Sequence, residues 1–120
     1  MKVLNILSRL YVDPDDMESS IAFYEELLGE ECSLRFSYEL AGITLATVGN
    51  VFLIAGPDMR LEKFRRVQAT LMVDSLDEFR ELLAKRGAEI LDDAKPLPMG
   101  NNMLVRHPDG NIVEYIEHRP

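Results

Sequence analysis

The sequence predicts an α+β protein of two tandem βαβββ modules, their strands joined in a cupped mixed sheet with helices outside. Two observations carry that reading. Each half runs through the same order of signals: a strand, a helix, then three short strands. Two dipeptides also recur at one offset, Val12-Asp13 as Val73-Asp74 and Gly49-Asn50 as Gly110-Asn111, both 61 residues on. The helices match at a smaller offset, Phe23 and Leu27 against Phe79 and Leu83, 56 residues apart. Extra residues around Asp13 to Met17 account for that shift. The competing reading is two unrelated α+β halves.

The elements follow in order. Val3 to Val12 is rich enough in Val, Ile and Leu for a buried strand, and Asp13-Pro14-Asp15-Asp16 breaks it. Asp15 and Glu18 have capping-box spacing at the start of a helix. Its apolar stripe is Met17, Ile21, Tyr24 and Leu28, widened by Leu27, and Gly29 stops it. Strand-like runs follow at Cys32 to Leu40, Ile43 to Val48 and Val51 to Ala55, separated by Ala41-Gly42 and Gly49-Asn50. Gly56 to Arg60 reads as a linker, which makes one domain, 1–120, of module 1–58 and module 63–120.

In the second module Val67 to Val73 reads as a strand. Ser75 and Glu78 form a second capping box, and Leu76, Phe79, Leu82 and Leu83 make a helix stripe that ends at Gly87. Ala88 to Leu91, Met103 to Arg106 and Ile112 to Glu117 are the remaining strands, the last two joined through Asp109-Gly110. The polar stretch Asp92 to Asn102, with Pro96 and Pro98, reads as a long loop able to act as a lid, or as a plain exposed connection.

Composition excludes several classes of function. The net charge is −8, with 4 basic and 10 acidic groups in residues 1–60 and 9 against 11 in residues 61–120. Such a surface repels phosphate backbones, so neither nucleic acid nor an anionic membrane is expected as a partner, while a cationic ligand is tolerated. Plain solubility explains the acidity equally well. Apolar runs reach only about four residues, far short of the roughly 20 that span a bilayer. The opening Met1-Lys2-Val3-Leu4-Asn5 has no secretion-signal pattern, and the single cysteine, Cys32, excludes an internal disulfide. A cytoplasmic location is the expectation.

Two stretches carry a family resemblance. Ser20-Ile21-Ala22-Phe23-Tyr24-Glu25-Glu26-Leu27-Leu28-Gly29 resembles the first-helix signature of the vicinal oxygen chelate (glyoxalase/bleomycin-resistance/dioxygenase) superfamily. His107-Pro108-Asp109-Gly110-Asn111-Ile112-Val113-Glu114 is similar to its closing hairpin, where relatives often have Asp at the position of His107. The resemblance spans essentially the whole chain. It implies a cup holding a ligand or divalent metal, and it does not select a reaction, because lyases, dioxygenases, epimerases, transferases and metal-free binding proteins share the fold.

Carried onto this chain, the ligand positions of metal-dependent members fall on Leu7, Leu53, Gln68 and Glu114. Leu7 and Leu53 are hydrocarbon, Gln68 is a weak neutral donor, and Glu114 alone is a good ligand. Zinc, iron and nickel sites want three or more His, Cys or carboxylate donors, so no cofactor is expected. A hard ion such as Mg²⁺ or Mn²⁺, held by Gln68, Glu114 and water, is the remaining metal option. His107 reads as a hairpin residue, His118 as a solvated one, and Cys32 as a packed thiol.

Strand alternation supplies the rest of the expected cup. Arg9 and Tyr11 share a face with Leu7, Thr70 and Met72 with Gln68, and Ile112 and Ile116 with Glu114. The predicted ligand-binding set is therefore Leu7, Arg9, Tyr11, Leu53, Gln68, Thr70, Met72 and Glu114, a largely apolar pocket with few polar groups. A carboxylate among isoleucines requires a proton, a cationic neighbour or a ligand, and Arg9 is its candidate structural partner.

Three functions fit. One is a metal-free protein binding a cationic or apolar small molecule, as a homodimer. Another is a lyase, isomerase or dioxygenase-like enzyme with Glu114 as base or metal ligand. The third is a structural dimer with a filled cup.

Overall fold

The computed structural model describes residues 1–39, 42–97 and 100–118, apart from the side chains of residues 94, 95, 97 and 118. The expectations for Leu40, Ala41, Pro98, Met99 and the His118 side chain lie outside the described residues. The chain divides into two compact units: Ser8–Arg66, and Met1–Leu7 together with the chain from Val67 onward.

In the first unit, β1 (Val3–Val12) contributes its second half. A 3-10 turn at Pro14–Asp16 leads into α1 (Met17–Leu28), followed by β2 (Cys32–Tyr38), β3 (Ile43–Val48) and β4 (Val51–Ala55). The strands lie in the order β2-β3-β4-β1, and only the β4–β1 pair is parallel. The expected capping box at α1 does not form. Asp16 occupies the cap without a side-chain bond, because the 3-10 turn has already used the residues before it. Glu18 binds Arg35 on β2 instead. Gly29 ends the helix in the left-handed region, φ 67°, where a side chain would be strained.

The residues read as a linker include the start of a helix, α2 (Asp58–Arg65). Pro57 sits at its N-cap with the fixed φ that suits a helix start, Asp58 complements the N-terminal dipole, and Lys63 and Arg65 fall in the last turn. Leu61 supplies what a linker lacks: it is 1% exposed and packs its side chain beside Ile43 at Gly56.

The second unit repeats the topology. β5 (Ala69–Val73), α3 (Leu76–Lys85), β6 (Glu89–Leu97), β7 (Gly100–Arg106) and β8 (Ile112–His118) follow in sequence. The strand order β6-β7-β8-β5 is extended past β5 by the first half of β1, which pairs antiparallel with it. Ser75 caps α3 by accepting the Glu78 amide at 3.3 Å. The stretch expected to be a loop or lid is instead mostly ladder: Lys95, Pro96 and Leu97 pair with Asn102, Asn101 and Gly100. Register shifts on either side of Asp92 absorb its irregular residues, and Pro96 is tolerated because β6 is an edge strand.

Each unit has its own apolar core between helix and sheet. In the first, Met17 and Ile21 of α1 pack on Ala46, Val48, Leu53 and Ala55. In the second, Leu76 and Phe79 of α3 pack on Val73, Met103, Val105, Val113 and Tyr115. Burying each large side chain contributes about 1.5–3 kcal/mol.

Candidate functional site

The sheet face turned away from α3 carries the second unit's polar chemistry. β5 and β8 run parallel with Thr70 beside Glu114 and Met72 beside Ile116. Pleating puts Thr70, Met72, Glu114 and Ile116 on this one face, and the register of β1 on β5 adds Leu7 opposite Thr70. Leu7, Thr70, Met72 and Ile116 are all buried, and Glu114 is half-buried among them.

Thr70 and Asn102 both donate to the Glu114 carboxylate. The Thr70 hydroxyl donates to Oε1 at 3.0 Å, and the Asn102 side-chain amide donates to Oε2 at 3.0 Å. Asn102 reaches across from β7, where its neighbour Met103 points into the α3 core and so turns Asn102 to the opposite face. Sequence reasoning misses Asn102 because its stretch reads as loop. Alternation outward from the apolar Met103 is the signal that finds it.

Gln68, expected beside Glu114, is exposed and differently employed. Its Oε1 accepts the Ile112 amide at 2.8 Å while its backbone amide donates to the Ile112 carbonyl, closing the end of the β5–β8 ladder. Thr70 takes the place beside Glu114 because the parallel register pairs those two positions.

Leu53 needs a correction. The 61-residue offset makes it the counterpart of Glu114, but it is fully buried in the α1 core, paired with Leu10. Phe52 occupies the opposite face. The cause is the hairpin before β4, where Val48 and Val51 pair across Gly49-Asn50 alone. The hairpin before β8 runs through the longer His107–Asn111 turn. That difference slips the two modules by one residue, which inverts every side chain.

Arg9 and Tyr11 converge in the first unit on the last turn of α2. The Tyr11 hydroxyl donates to the Phe64 carbonyl at 2.5 Å, and Arg9 donates from Nη2 to the same oxygen at 3.2 Å and from Nε to the Tyr11 oxygen at 3.1 Å. The Arg9 guanidinium lies 5.8 Å from both the Phe52 and Phe64 ring centres, and that of Arg65 lies 4.9 Å from the Tyr11 ring. These groups satisfy a carbonyl of the kind that a helix C-terminus leaves unpaired.

Of the positions expected to bind a divalent cation, Leu7 and Leu53 offer hydrocarbon, the Gln68 oxygen accepts a backbone amide, and the Glu114 carboxylate accepts from Thr70 and Asn102. Among the described residues no three His, Cys, Asp or Glu groups are placed to hold a metal ion. His107 bonds through Nε2 with the hydroxyl of buried Tyr115 at 2.6 Å, a structural role within its hairpin. Burial raises the Tyr115 phenol above its ordinary value. No helix of the described residues is long and apolar enough to cross a membrane.

Among curated proteins none matches the chain. An uncharacterized, hypothetical protein from Methanosarcina mazei is 44% identical, covering 99% of this chain and 95% of its own, with a TM-score of 0.87. Methylmalonyl-CoA epimerase from Mycobacterium tuberculosis shares the fold at 18% identity, TM-score 0.70, over 98% of this chain and 90% of its own. A variant of Streptomyces coelicolor methylmalonyl-CoA epimerase, in complex with 2-nitronate-propionyl-CoA, does so at 15%, TM-score 0.64, over 99% and 100%. A family model matches residues 9–115, and the chain belongs to the Glyoxalase/Bleomycin resistance protein/Dioxygenase superfamily.

Proposed function

We propose that the chain binds a small apolar or cationic organic molecule, without a resident metal ion, on the sheet face that carries Glu114. One observation carries this reading: a carboxylate oriented by Thr70 and Asn102 stands among the hydrocarbon of Leu7, Met72 and Ile116. Small-molecule sites commonly combine an apolar wall with a few fixed polar groups. The net charge of −8 favours a cationic ligand. The reading includes a homodimer and a cytoplasmic location.

Elemental analysis of protein purified without added metal tests it, followed by thermal-shift screening with apolar amines and divalent ions. Amines are expected to raise the melting temperature and ions to leave it unchanged. Stoichiometric metal that disappears in Glu114→Ala overturns the reading. Sedimentation at several concentrations tests the dimer.

The fixed orientation of Glu114 also favours a second reading, an isomerase or lyase in which this carboxylate abstracts a proton, since a general base must be aimed. Incubation with methylmalonyl-CoA in D2O tests it. Deuterium uptake that is lost in Glu114→Gln supports catalysis, and no uptake returns the choice to binding.

A further inference from the structure

β2 is an edge strand, paired with β3 on one side only. Such an edge is a template for another strand unless something blocks it. β6, the opposite edge, carries Pro96, Asp92 and two register shifts, all of which obstruct pairing. Cys32 to Tyr38 contains no Pro, Gly or Lys, and its one register shift lies at its start.

Hydrogen-bond parity says which groups this edge offers. Val48 and Val51 close a two-residue hairpin and so bond to each other. Alternate β3 residues, Thr47, Leu45 and Ile43, therefore turn their peptide groups toward β2, where they meet Leu34, Phe36 and Tyr38. That leaves the peptide groups of Arg35 and Ser37 pointing to the open side. The Cys32 amide fits the same count: Cys32 pairs with Val48, and its N–H donates outside the ladder, to Glu25 Oε2 at 2.9 Å.

Side chains select the partner. Ala46 and Val48 face α1, so the register turns Leu34, Phe36 and Tyr38 to the opposite face, where all three are half-buried. The strand is complementary to itself in antiparallel. A two-fold axis at Phe36 sets Phe36 opposite Phe36, Leu34 opposite Tyr38 and Arg35 opposite Ser37 across two copies. Arg35 and Ser37 then exchange the main-chain bonds that the open edge offers. The Phe36–Phe36 and Leu34–Tyr38 pairs fall at the non-bonded positions, where side chains approach most closely.

Charge agrees with that register. The only charged residue of the strand, Arg35, is bonded to Glu18 of its own copy. An axis at Arg35 would use open peptide groups equally well but would oppose two guanidinium groups, a destabilising pair. We infer that a second copy of the chain adds antiparallel to β2, with the two-fold axis at Phe36. This rests on the homodimer of the reading above and assigns it a surface.

Sedimentation of the whole chain at several concentrations, with amide hydrogen exchange read by NMR, is the test. Arg35 and Ser37 amides should become protected as the dimer forms, while those of Phe36 and Tyr38, bonded to β3, stay protected at every concentration. Ser37→Pro removes an outward donor, twice by symmetry, and should weaken association about tenfold or more at unchanged circular dichroism. In a Cys32→Ser background, mild oxidation should cross-link Phe36→Cys and spare Leu34→Cys, a control of register that does not need Ser37→Pro to fold. Dimers undiminished in Ser37→Pro, or equal cross-linking at both positions, overturn this surface and leave the homodimer standing. A chain that sediments as a monomer throughout overturns the surface and the homodimer together.

Discussion

Thr70 and Glu114 stand side by side on parallel strands, the threonine hydroxyl donating to the carboxylate at 3.0 Å. Thr70 is wholly buried, so its hydroxyl cannot turn to water instead. Thr70→Val keeps the shape and removes the donor. It should destabilise the chain by about 1–3 kcal/mol, the cost of leaving a buried polar group short of a partner. Urea denaturation reads the loss, and a matching drop in ligand-induced thermal shift is expected if Glu114 serves the ligand.

Leu53 separates core from site. It packs against Met17 and Ile21 with no exposure, so Leu53→Ala should cost about 2–5 kcal/mol through the cavity it leaves. Ligand affinity, measured by calorimetry on the fraction that remains folded, should stay unchanged. A loss of affinity at unchanged stability would return Leu53 to the ligand face.

The last turn of α2 depends on a pair of side chains from β1. Tyr11→Phe removes the donor to the Phe64 carbonyl and should destabilise by about 1 kcal/mol. Hydrogen exchange should quicken in Asp58–Arg65 first, while Ile43–Val48 stays protected, because the lost bond holds the helix rather than the sheet.

Tyr115 sets an alkaline limit. Burial holds its phenol above the ordinary 10.0, so the unfolded chain gives up this proton at a lower pH than the folded one. Its contribution is complete below pH 10 and fades as the pH climbs toward the folded-state value. Stability measured by denaturant between about pH 8 and 11 should fall less steeply in Tyr115→Phe. That variant should also be less stable at the lower end of this range, having lost its bond to His107.

Much of this was legible in the residues. The strands Val3–Val12, Ile43–Val48 and Val51–Ala55 and the stop at Gly29 appear as periodicity and turn chemistry predict. α2 escaped because its polarity hides a single buried leucine, and burial of one side chain is a tertiary fact. The β6–β7 arm escaped because Pro and Asp argue against a strand, and only an edge with register shifts accommodates both. Glu114 came from the family resemblance and Thr70 and Met72 from strand alternation, and the β5–β8 register puts the three on one sheet face. Leu53 was misplaced by a hairpin length that an offset between dipeptides does not measure. Asn102 became visible only once the arm was paired.

The division of β1 has a consequence for biosynthesis. Val3 to Leu7 are made before the first unit, yet their ladder partners, Thr70 to Val73, are made only after it. Ser8 to Val12 find theirs on β4 much sooner. The segment from Val3 to Leu7, with Leu4 and Ile6 outward-facing even in the finished fold, therefore waits unpaired until all of Ser8–Arg66 has been made. A nascent chain stalled before residue 69 should show those amides unprotected beside a β4-paired neighbour, and it is the stretch a ribosome-associated chaperone would meet.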